Sequence, residues 1–336
     1  MEIRGLTVTY APEAGAPIVA LDRVNLDVWP GDVVGIMGES GSGKSTLAAS
    51  LLRLLPATAS CAGTIRFENR DLLKMNEREL RAVRGARLAL IPQDPAVCLN
   101  PVIRVGEQIA EVIRAHMPIS RAERTARVKE LLREVCFDEP ERIIAAYPHQ
   151  LSGGERQRVV IAQAVACRPA LVIADEPTAK LDPAIQNDIL TLLLSLVGRS
   201  GAAMLLITHD PAILAGLATR IAVMYAGRVV EEGTKEDVLL KPLHPYTQGL
   251  VRLTENLRNP HLSHRTREMG HPRQVQNSGR SFFQTIAGEP PSLAHMKPGC
   301  QFEPRCEARL PVCGTRDPEA STQPDAHRVS CFLYGN

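Results

Sequence analysis

The stretch Gly38-Glu39-Ser40-Gly41-Ser42-Gly43-Lys44-Ser45 decides how this chain is read. It fits the phosphate-loop pattern G-x-x-x-x-G-K-[ST] and lies where that pattern has mechanical meaning. The apolar run Val33 to Met37 precedes it as a strand, and Ser45 to Leu55 follows as an apolar helix. Glycines without a Cβ let successive backbone N–H groups wrap a phosphate, and the helix N-terminus adds positive potential there. Lys44 reaches the terminal phosphates and Ser45 can ligate Mg²⁺, so the candidate contacts are Gly38, Glu39, Ser40, Gly41, Ser42, Gly43, Lys44, Ser45 and Thr46. A chance glycine turn is the competing reading, and the motifs that follow remove it.

Two further segments extend the same chemistry. Leu171 to Ala174 is an apolar strand ending in Asp175-Glu176; it would carry Asp175 towards a metal and Glu176 towards an attacking water. Adjacent acids also suit a strand end that simply meets solvent. Beside a phosphate loop, however, nucleotide hydrolysis needs both a metal ligand and a group that positions water. Leu151-Ser152-Gly153-Gly154-Glu155-Arg156-Gln157-Arg158 opens a helix with Ser152 as N-cap, and Gly153 and Gly154 allow a phosphate to approach the backbone. Two phosphate-type helix ends with one lysine-bearing loop predict that the second end serves a nucleotide held by another subunit.

Composition narrows the class. With 336 residues, 44% hydrophobic, 23% charged and a net charge of +2, the chain can bury a full core and lacks the basic excess of a nucleic-acid wrapper. Met1 is followed at once by Glu2 and Arg4 with no apolar region behind them, so no secretory signal is expected and the chain is placed in the cytoplasm. The longest apolar runs, Ile189 to Val197 and Ala202 to Ile207, fall far short of the roughly 20 residues of a membrane-crossing helix. Any membrane role is therefore expected to be peripheral. Eight cysteines in that compartment are not read as a disulfide framework; Cys61, Cys98, Cys136 and Cys167 stand singly and are expected as small buried hydrophobes.

Organisation follows from periodicity. Ile3 to Tyr10 reads as a first strand. From Val102 to Val135 the pattern is helical, with Val128, Leu131, Leu132 and Val135 on one face and a Glu123–Arg127 ion pair on the other. Strand signals at Ala170 to Ala174, Ala203 to Thr208 and Ile221 to Tyr225 alternate with a helix from Ala184 to Val197, which predicts a doubly wound α/β fold with a mostly parallel sheet. The expected units are a nucleotide-binding domain over 1–250 with a helical subdomain near 95–165, an Arg- and His-rich linker over 251–285, and a cysteine-bearing region over 286–336.

The phosphate loop, Leu151 to Arg158, Asp175-Glu176 and Thr208-His209-Asp210 occur in the order of the ATP-binding cassette (ABC) ATPases, which the chain resembles. That resemblance implies a P-loop cassette core with a helical subdomain, and ATP with Mg²⁺ sandwiched between two subunits. It implies that Gln93, after the strand Leu88 to Pro92, joins Mg²⁺ to a transmembrane contact, so that Ser45, Gln93 and Asp175 are the metal ligands. His209 would hold the γ-phosphate, and Glu176, His209 and Gln93 form the catalytic set. Tyr10 would stack on adenine, its alternative being a strand aromatic in the core. Gln93-Asp94-Pro95 with Leu99-Asn100-Pro101, and Leu243-His244-Pro245-Tyr246-Thr247, are similar to the oligopeptide/dipeptide-import ATPases, over essentially the whole chain. This implies two transmembrane permease subunits, a second cassette ATPase (a paralogue in preference to a second copy), an extracytoplasmic substrate-binding protein acting indirectly, and a peripheral seat on the cytoplasmic face of the inner membrane. Nickel and other small solutes travel through close relatives. Nucleic acid is not an expected partner; a nucleic-acid-linked ATPase would have to use the basic segment Arg252 to Arg280.

Cys300, Cys306, Cys313 and Cys331, with His327, resemble the cysteine-bearing extension of that family, some members of which bind a [4Fe–4S] cluster. The spacing itself matches neither ordinary zinc-finger nor common ferredoxin runs, so an iron–sulfur cluster, zinc held with His327, and unliganded thiols all stay open. Two departures stand out. Ala179-Lys180-Leu181-Asp182 has a lysine where the family has a small residue, at a position that bears on communication between sites; Pro211 follows Asp210, which suits a capped helix start.

Overall fold

The computed structural model describes residues 1–12, 15–252 and 286–335. Apart from Val251 and Arg252, the linker expected over 251–285 and its basic segment lie outside the described residues. The first part of the chain forms β1 (Glu2–Tyr10), β2 (Ile18–Asp27), β3 (Val33–Met37), α1 (Lys44–Leu51), β4 (Ala59–Phe67), β5 (Arg70–Asp71), α2 (Glu77–Val83) and β6 (Leu88–Ile91). A helical stretch follows: α3 (Pro95–Cys98), α4 (Val105–His116), α5 (Arg121–Glu134), α6 (Pro140–Ala145) and α7 (Gly153–Val165). Then come β7 (Leu171–Asp175), α8 (Pro183–Ser200), β8 (Ala203–Ile207), α9 (Pro211–Leu217), β9 (Arg220–Tyr225), β10 (Arg228–Thr234), α10 (Lys235–Leu240) and α11 (Pro245–Arg252), and finally β11 (Ser321–Thr322) and β12 (Arg328–Val329).

The main sheet runs β11-β12-β10-β9-β3-β8-β7-β6. From β9 to β6 its neighbours pair in parallel, while β10, β12 and β11 continue it as an antiparallel edge. Every residue of β3 is buried, because the strand faces a core on each side. Val33 and Met37 point into a core built with the helical stretch, whereas Val34 and Ile36 point into a second core shared with α1 and β1. The sheet is thus covered on both faces, as expected, but β1 does not join it. It pairs with β2 and β4 in a separate antiparallel sheet of order β2-β1-β4-β5, which short local alternation could not distinguish from a parallel partner.

The helical segment expected from Val102 to Val135 is two helices, interrupted between His116 and Arg121 where Pro118 withholds a backbone donor. Val128, Leu131, Leu132 and Val135 are all buried on one side, as their spacing required. The Glu123–Arg127 pair does not form. Glu123 reaches back to the Ser120 N–H at 2.7 Å in a capping box, and Arg127 pairs instead with Glu130 and Glu134, each at 2.8 Å. The helix start thus claims the acid before the ion pair can.

Three of the isolated cysteines also depart from expectation: Cys61, Cys98 and Cys136 are exposed, and Cys167 is half-buried. Cys61 falls on an exposed run of β4, Cys98 on a one-turn helix that buries nothing, and Cys136 in a left-handed turn (φ 62°) closing α5. Among the described residues, no helix is long and apolar enough to cross a membrane.

Leu131 is fully buried in the helical stretch. Leu131→Ala should lower unfolding free energy by about 2–5 kcal/mol, the usual cost of a buried leucine cavity, with an unchanged denaturant slope in urea titration.

Candidate nucleotide site

Four adjacent parallel strands end at one edge of the sheet, and each hands the chain to a segment singled out in the sequence. β6 leads to Gln93, β7 to Asp175 and Glu176, β8 to Thr208-His209, and β3 to the glycine loop. Parallel strands bring their C-terminal ends to one side, where open α/β sheets place their ligands.

The loop is shaped by close backbone approach. A Cβ at Gly38 would stand 2.2 Å from the Met224 carbonyl oxygen, and one at Gly43, whose φ is +101°, would lie 2.8 Å from the Ala20 carbonyl oxygen. Glycine alone suits both places. Lys44 is buried, and its Nζ donates at 2.8 Å to the carbonyl oxygens of Gly38 and Glu39, so the loop curls around the ammonium. Burial lowers the Lys44 pKa, while Glu176, Asp175 and Glu39 pull it upward. No side chain caps the start of α1, so its first N–H groups are available to an anion. Burial pushes the Asp175 carboxyl above the usual range and neighbouring Glu176 adds to this, while the Ser45 hydroxyl and the Lys44 ammonium hold it down. Backbone donors, one ammonium, a hydroxyl and a carboxylate are the donor set that a metal-bound polyphosphate requires.

Glu176 has left-handed backbone (φ 45°), a conformation that costs of order 1–3 kcal/mol and that turns its side chain out of the line of β7. Its N–H is tied to the Ile207 carbonyl at 2.9 Å. Gln93 Nε2 donates to Glu176 Oε2 at 2.9 Å, and His209 Nδ1 lies 3.3 Å from Oε1. The two side chains that the resemblance directs to metal and γ-phosphate therefore converge on one carboxylate. After His209, Asp210 Oδ1 accepts from the Ala212 N–H at 2.8 Å and Pro211 opens α9, the capped start expected there.

Ser152 caps α7 as its position predicts: its Oγ accepts from the Glu155 N–H at 3.3 Å, and Glu155 Oε2 accepts from the Ser152 N–H at 2.9 Å. Ser152 and Gly153 are exposed, and Gly154 packs beside Ile185. Among the described residues, no hydrogen bond joins Ser152–Gly154 to Lys44, Asp175 or Glu176, so the fold does not bring this helix end into the same cluster. Tyr10 ends β1 opposite Ile18 and Ala59; it packs against the core under the antiparallel sheet and stays partly exposed. Lys180, the departure noted above, forms an ion pair with Asp94, linking the segment after Asp175-Glu176 to the segment after Gln93.

Two residues beside the loop escaped the sequence reading. Tyr246 accepts the Glu39 N–H on its hydroxyl at 2.7 Å, and Arg305 pairs with the Glu39 carboxylate. Tyr246 lies in the Leu243–Thr247 motif but had no role there; Arg305 belongs to no local motif and reaches Glu39 only through the fold, 266 positions away.

Cys300, Cys306, Cys313 and Cys331 line one cavity of about 10 Å³ together with His244 and Phe302. Burial pushes the Cys300 thiol up to about 11 and raises those of Cys306 and Cys331, with the neighbouring thiols adding to the effect. The donor chemistry suits a thiolate-bound cluster, but among the described residues no three His, Cys, Asp or Glu side chains stand close enough to hold a metal ion. His327 is not part of this lining. It is buried 2.8 Å from Glu231 Oε1, an ion pair or hydrogen bond that removes it from the thiols.

Comparison with known proteins agrees with this geometry. The family model described as ABC transporter matches residues 21–179, and that described as Oligopeptide/dipeptide transporter, C-terminal region, matches 230–284 and 271–313. The oligopeptide transport ATP-binding protein OppD of Salmonella typhimurium is 39% identical over 99% of this chain and 93% of its own length. The dipeptide transport ATP-binding protein DppD of Bacillus subtilis is 37% identical over 99% and 94%. A dimeric ATP-binding cassette solved in a post-hydrolysis state with ADP and Pi superposes with a TM-score of 0.62 at 31% identity, covering 70% of this chain and 98% of that one. With such identity along nearly its whole length, a P-loop edge assembled from β3, β6, β7 and β8, and no departure in the order of its motifs, this chain belongs to the ABC transporter ATPases of the oligopeptide/dipeptide transport family.

Proposed function

We propose that this chain is one ATP-hydrolysing subunit of an importer for dipeptides or oligopeptides, seated peripherally on the cytoplasmic face of the inner membrane beneath two permease subunits and paired with a second cassette ATPase. The observation that carries the catalytic part is the meeting of Gln93, Glu176 and His209 next to Asp175 at the end of β7. Residues 1–250 act as the cassette, with 95–165 as its moving helical subdomain, and 286–336 as the cysteine-bearing extension.

ATP supplies the phosphoryl group, and Mg²⁺ the charge that offsets it. The loop Gly38 to Thr46 binds the phosphates through its N–H groups and Lys44, while Ser45, Asp175 and Gln93 hold the metal. Glu176 polarises the attacking water, and Gln93 and His209 fix its carboxylate oxygens and register the γ-phosphate. Tyr10 stacks on the adenine. Ser152 and Gly153 are exposed at the start of α7, with Gly154 buried behind them, and this helix end closes the site of the neighbouring subunit. Closure moves the helical subdomain, and the Gln93 segment passes that movement to the permeases. Nickel or another small solute is the second reading of the cargo, since this subunit would not touch it.

The four C-terminal thiols would supply the ligands of a [4Fe–4S] cluster; holding one would require them to come closer together than they stand here and Cys300, Cys306 and Cys331 to ionise against their burial. No catalytic step is assigned to it.

Glu176→Gln should lower ATP turnover by at least about 10²-fold while leaving ATP binding intact, because it keeps the shape and removes the base; unchanged turnover would sink the assignment. Mild-detergent purification from native membranes should bring two polytopic permeases and a second cassette ATPase, whereas recovery with ribosomes or nucleic acid would refute the transport reading. Protein purified without oxygen should carry about four iron atoms per chain if the thiols hold a cubane cluster; one zinc, or no metal at all, would refute that part.

A further inference from the structure

The C-terminal extension reaches the phosphate-binding loop itself. The Arg305 guanidinium grips Glu39 with both arms, Nη1 to Oε2 at 2.7 Å and Nη2 to Oε1 at 3.0 Å. Only 4% of the Arg305 side chain is exposed, against 25% for Glu39, so the pair is shielded rather than a surface contact. The guanidinium is held in place from its other sides: it donates to the carbonyl oxygens of Ala287 and Ile286 at 3.0 and 3.1 Å and to the Tyr225 hydroxyl at 3.3 Å. It also lies 5.8 Å from the Tyr225 ring centroid and 5.9 Å from that of Phe302.

Glu39 is the one acidic residue between Gly38 and Thr46. A carboxylate beside a phosphate site opposes an anionic ligand and competes for the Lys44 ammonium. Three parts of the chain restrain it here. Arg305 takes its carboxylate, the Tyr246 hydroxyl accepts its N–H, and Lys44 donates to its carbonyl oxygen.

We propose that Arg305 is a positioning residue for nucleotide binding: it neutralises Glu39 and holds the loop in the shape that leaves Lys44 and the backbone N–H groups to the phosphates. The extension is then part of the nucleotide site and not only an appendage docked on the cassette. This rests on the reading of residues 38–46 as that site.

A second anchor of the extension separates positioning from docking. Asp317 pairs with Arg228 of β10 at 2.7 Å and with Arg23 of β2 at 3.1 Å, engaging those strands rather than the loop.

The test is equilibrium binding of ATP with Mg²⁺ to the full chain, with ATPase kinetics and thermal melting alongside. Lys44→Ala calibrates the site and should abolish binding. Arg305→Ala should weaken ATP binding about tenfold, because it leaves a shielded carboxylate unpaired. It should raise KM more than it lowers kcat. Arg305→Lys should fall between, since lysine supplies the charge without the two-armed fork. Adding Glu39→Gln to Arg305→Ala should return affinity to within about threefold of the unaltered chain, because the repulsive charge is gone. Asp317→Asn should stay within about twofold. The proposal is overturned if Arg305→Ala binds ATP normally while Lys44→Ala does not, if Asp317→Asn costs as much as Arg305→Ala, or if Glu39→Gln gives no recovery. Should Arg305→Ala fail to fold, Arg305→Lys and the double variant carry the same comparison. Normal binding by Lys44→Ala would instead refute the nucleotide-site reading and the proposal with it.

Discussion

Parallel pairing of β6, β7, β8 and β3 is the constraint on which the rest of the molecule depends. In this register Asp175 lies opposite Ile207, and Ile207 opposite Ile36, so the ends of β7, β8 and β3 are level. The ladder then continues beyond the strands: the Glu176 N–H bonds the Ile207 carbonyl at 2.9 Å and the Thr208 N–H bonds the Ile36 carbonyl at 3.1 Å. Backbone hydrogen bonds thus place the segments that carry Glu176 and His209 before any side chain acts. A slip of one residue would exchange the two faces of every strand and send Asp175 to the wrong side. Two cores hold the register, because each buried strand offers alternate residues to opposite faces.

The extension solves a different problem. β10 is antiparallel and would leave an unpaired edge; β12 covers it, with Glu231 opposite Val329 and Glu232 opposite Arg328. Glu231 is buried, which is tolerable only with partners around its carboxylate. It has them in the N–H groups of Leu243 and His244, at 2.8 and 2.9 Å, and in His327 at 2.8 Å. The aromatic rings of Tyr225, Tyr246 and Phe302 meet in the same region, with centroids 4.5 to 5.4 Å apart. One strand, one helix and the extension therefore share a small core, and the loop residue Glu39 is tied to its rim.

Legibility in the sequence was uneven for physical reasons. Gly38–Ser45, Asp175-Glu176 and Ser152–Gly154 were readable because each is contiguous: a loop, a strand end and a helix cap are local structures with local rules. The separate antiparallel sheet was not readable, since β1 alternates equally well beside either kind of partner. Cys61, Cys98 and Cys136 were misjudged because an apolar residue type does not say which face of an element it occupies. The Glu123–Arg127 pair failed because a capping box competed for the same acid over the same few residues.

By itself the sequence determined the local chemistry on offer: a glycine loop of the phosphate-binding pattern with one lysine, two adjacent carboxylates at a strand end, and a serine-capped helix start with two glycines, since these follow from residue type at short spacing. Only the tertiary structure decided which distant groups share an atom's neighbourhood. Gln93, Glu176 and His209 meet because three separate strands end level, Lys180 meets Asp94 across two loops, and Arg305 meets Glu39 although 266 positions separate them. Such meetings depend on sheet order and on how a chain terminus packs back, and no local spacing rule encodes either.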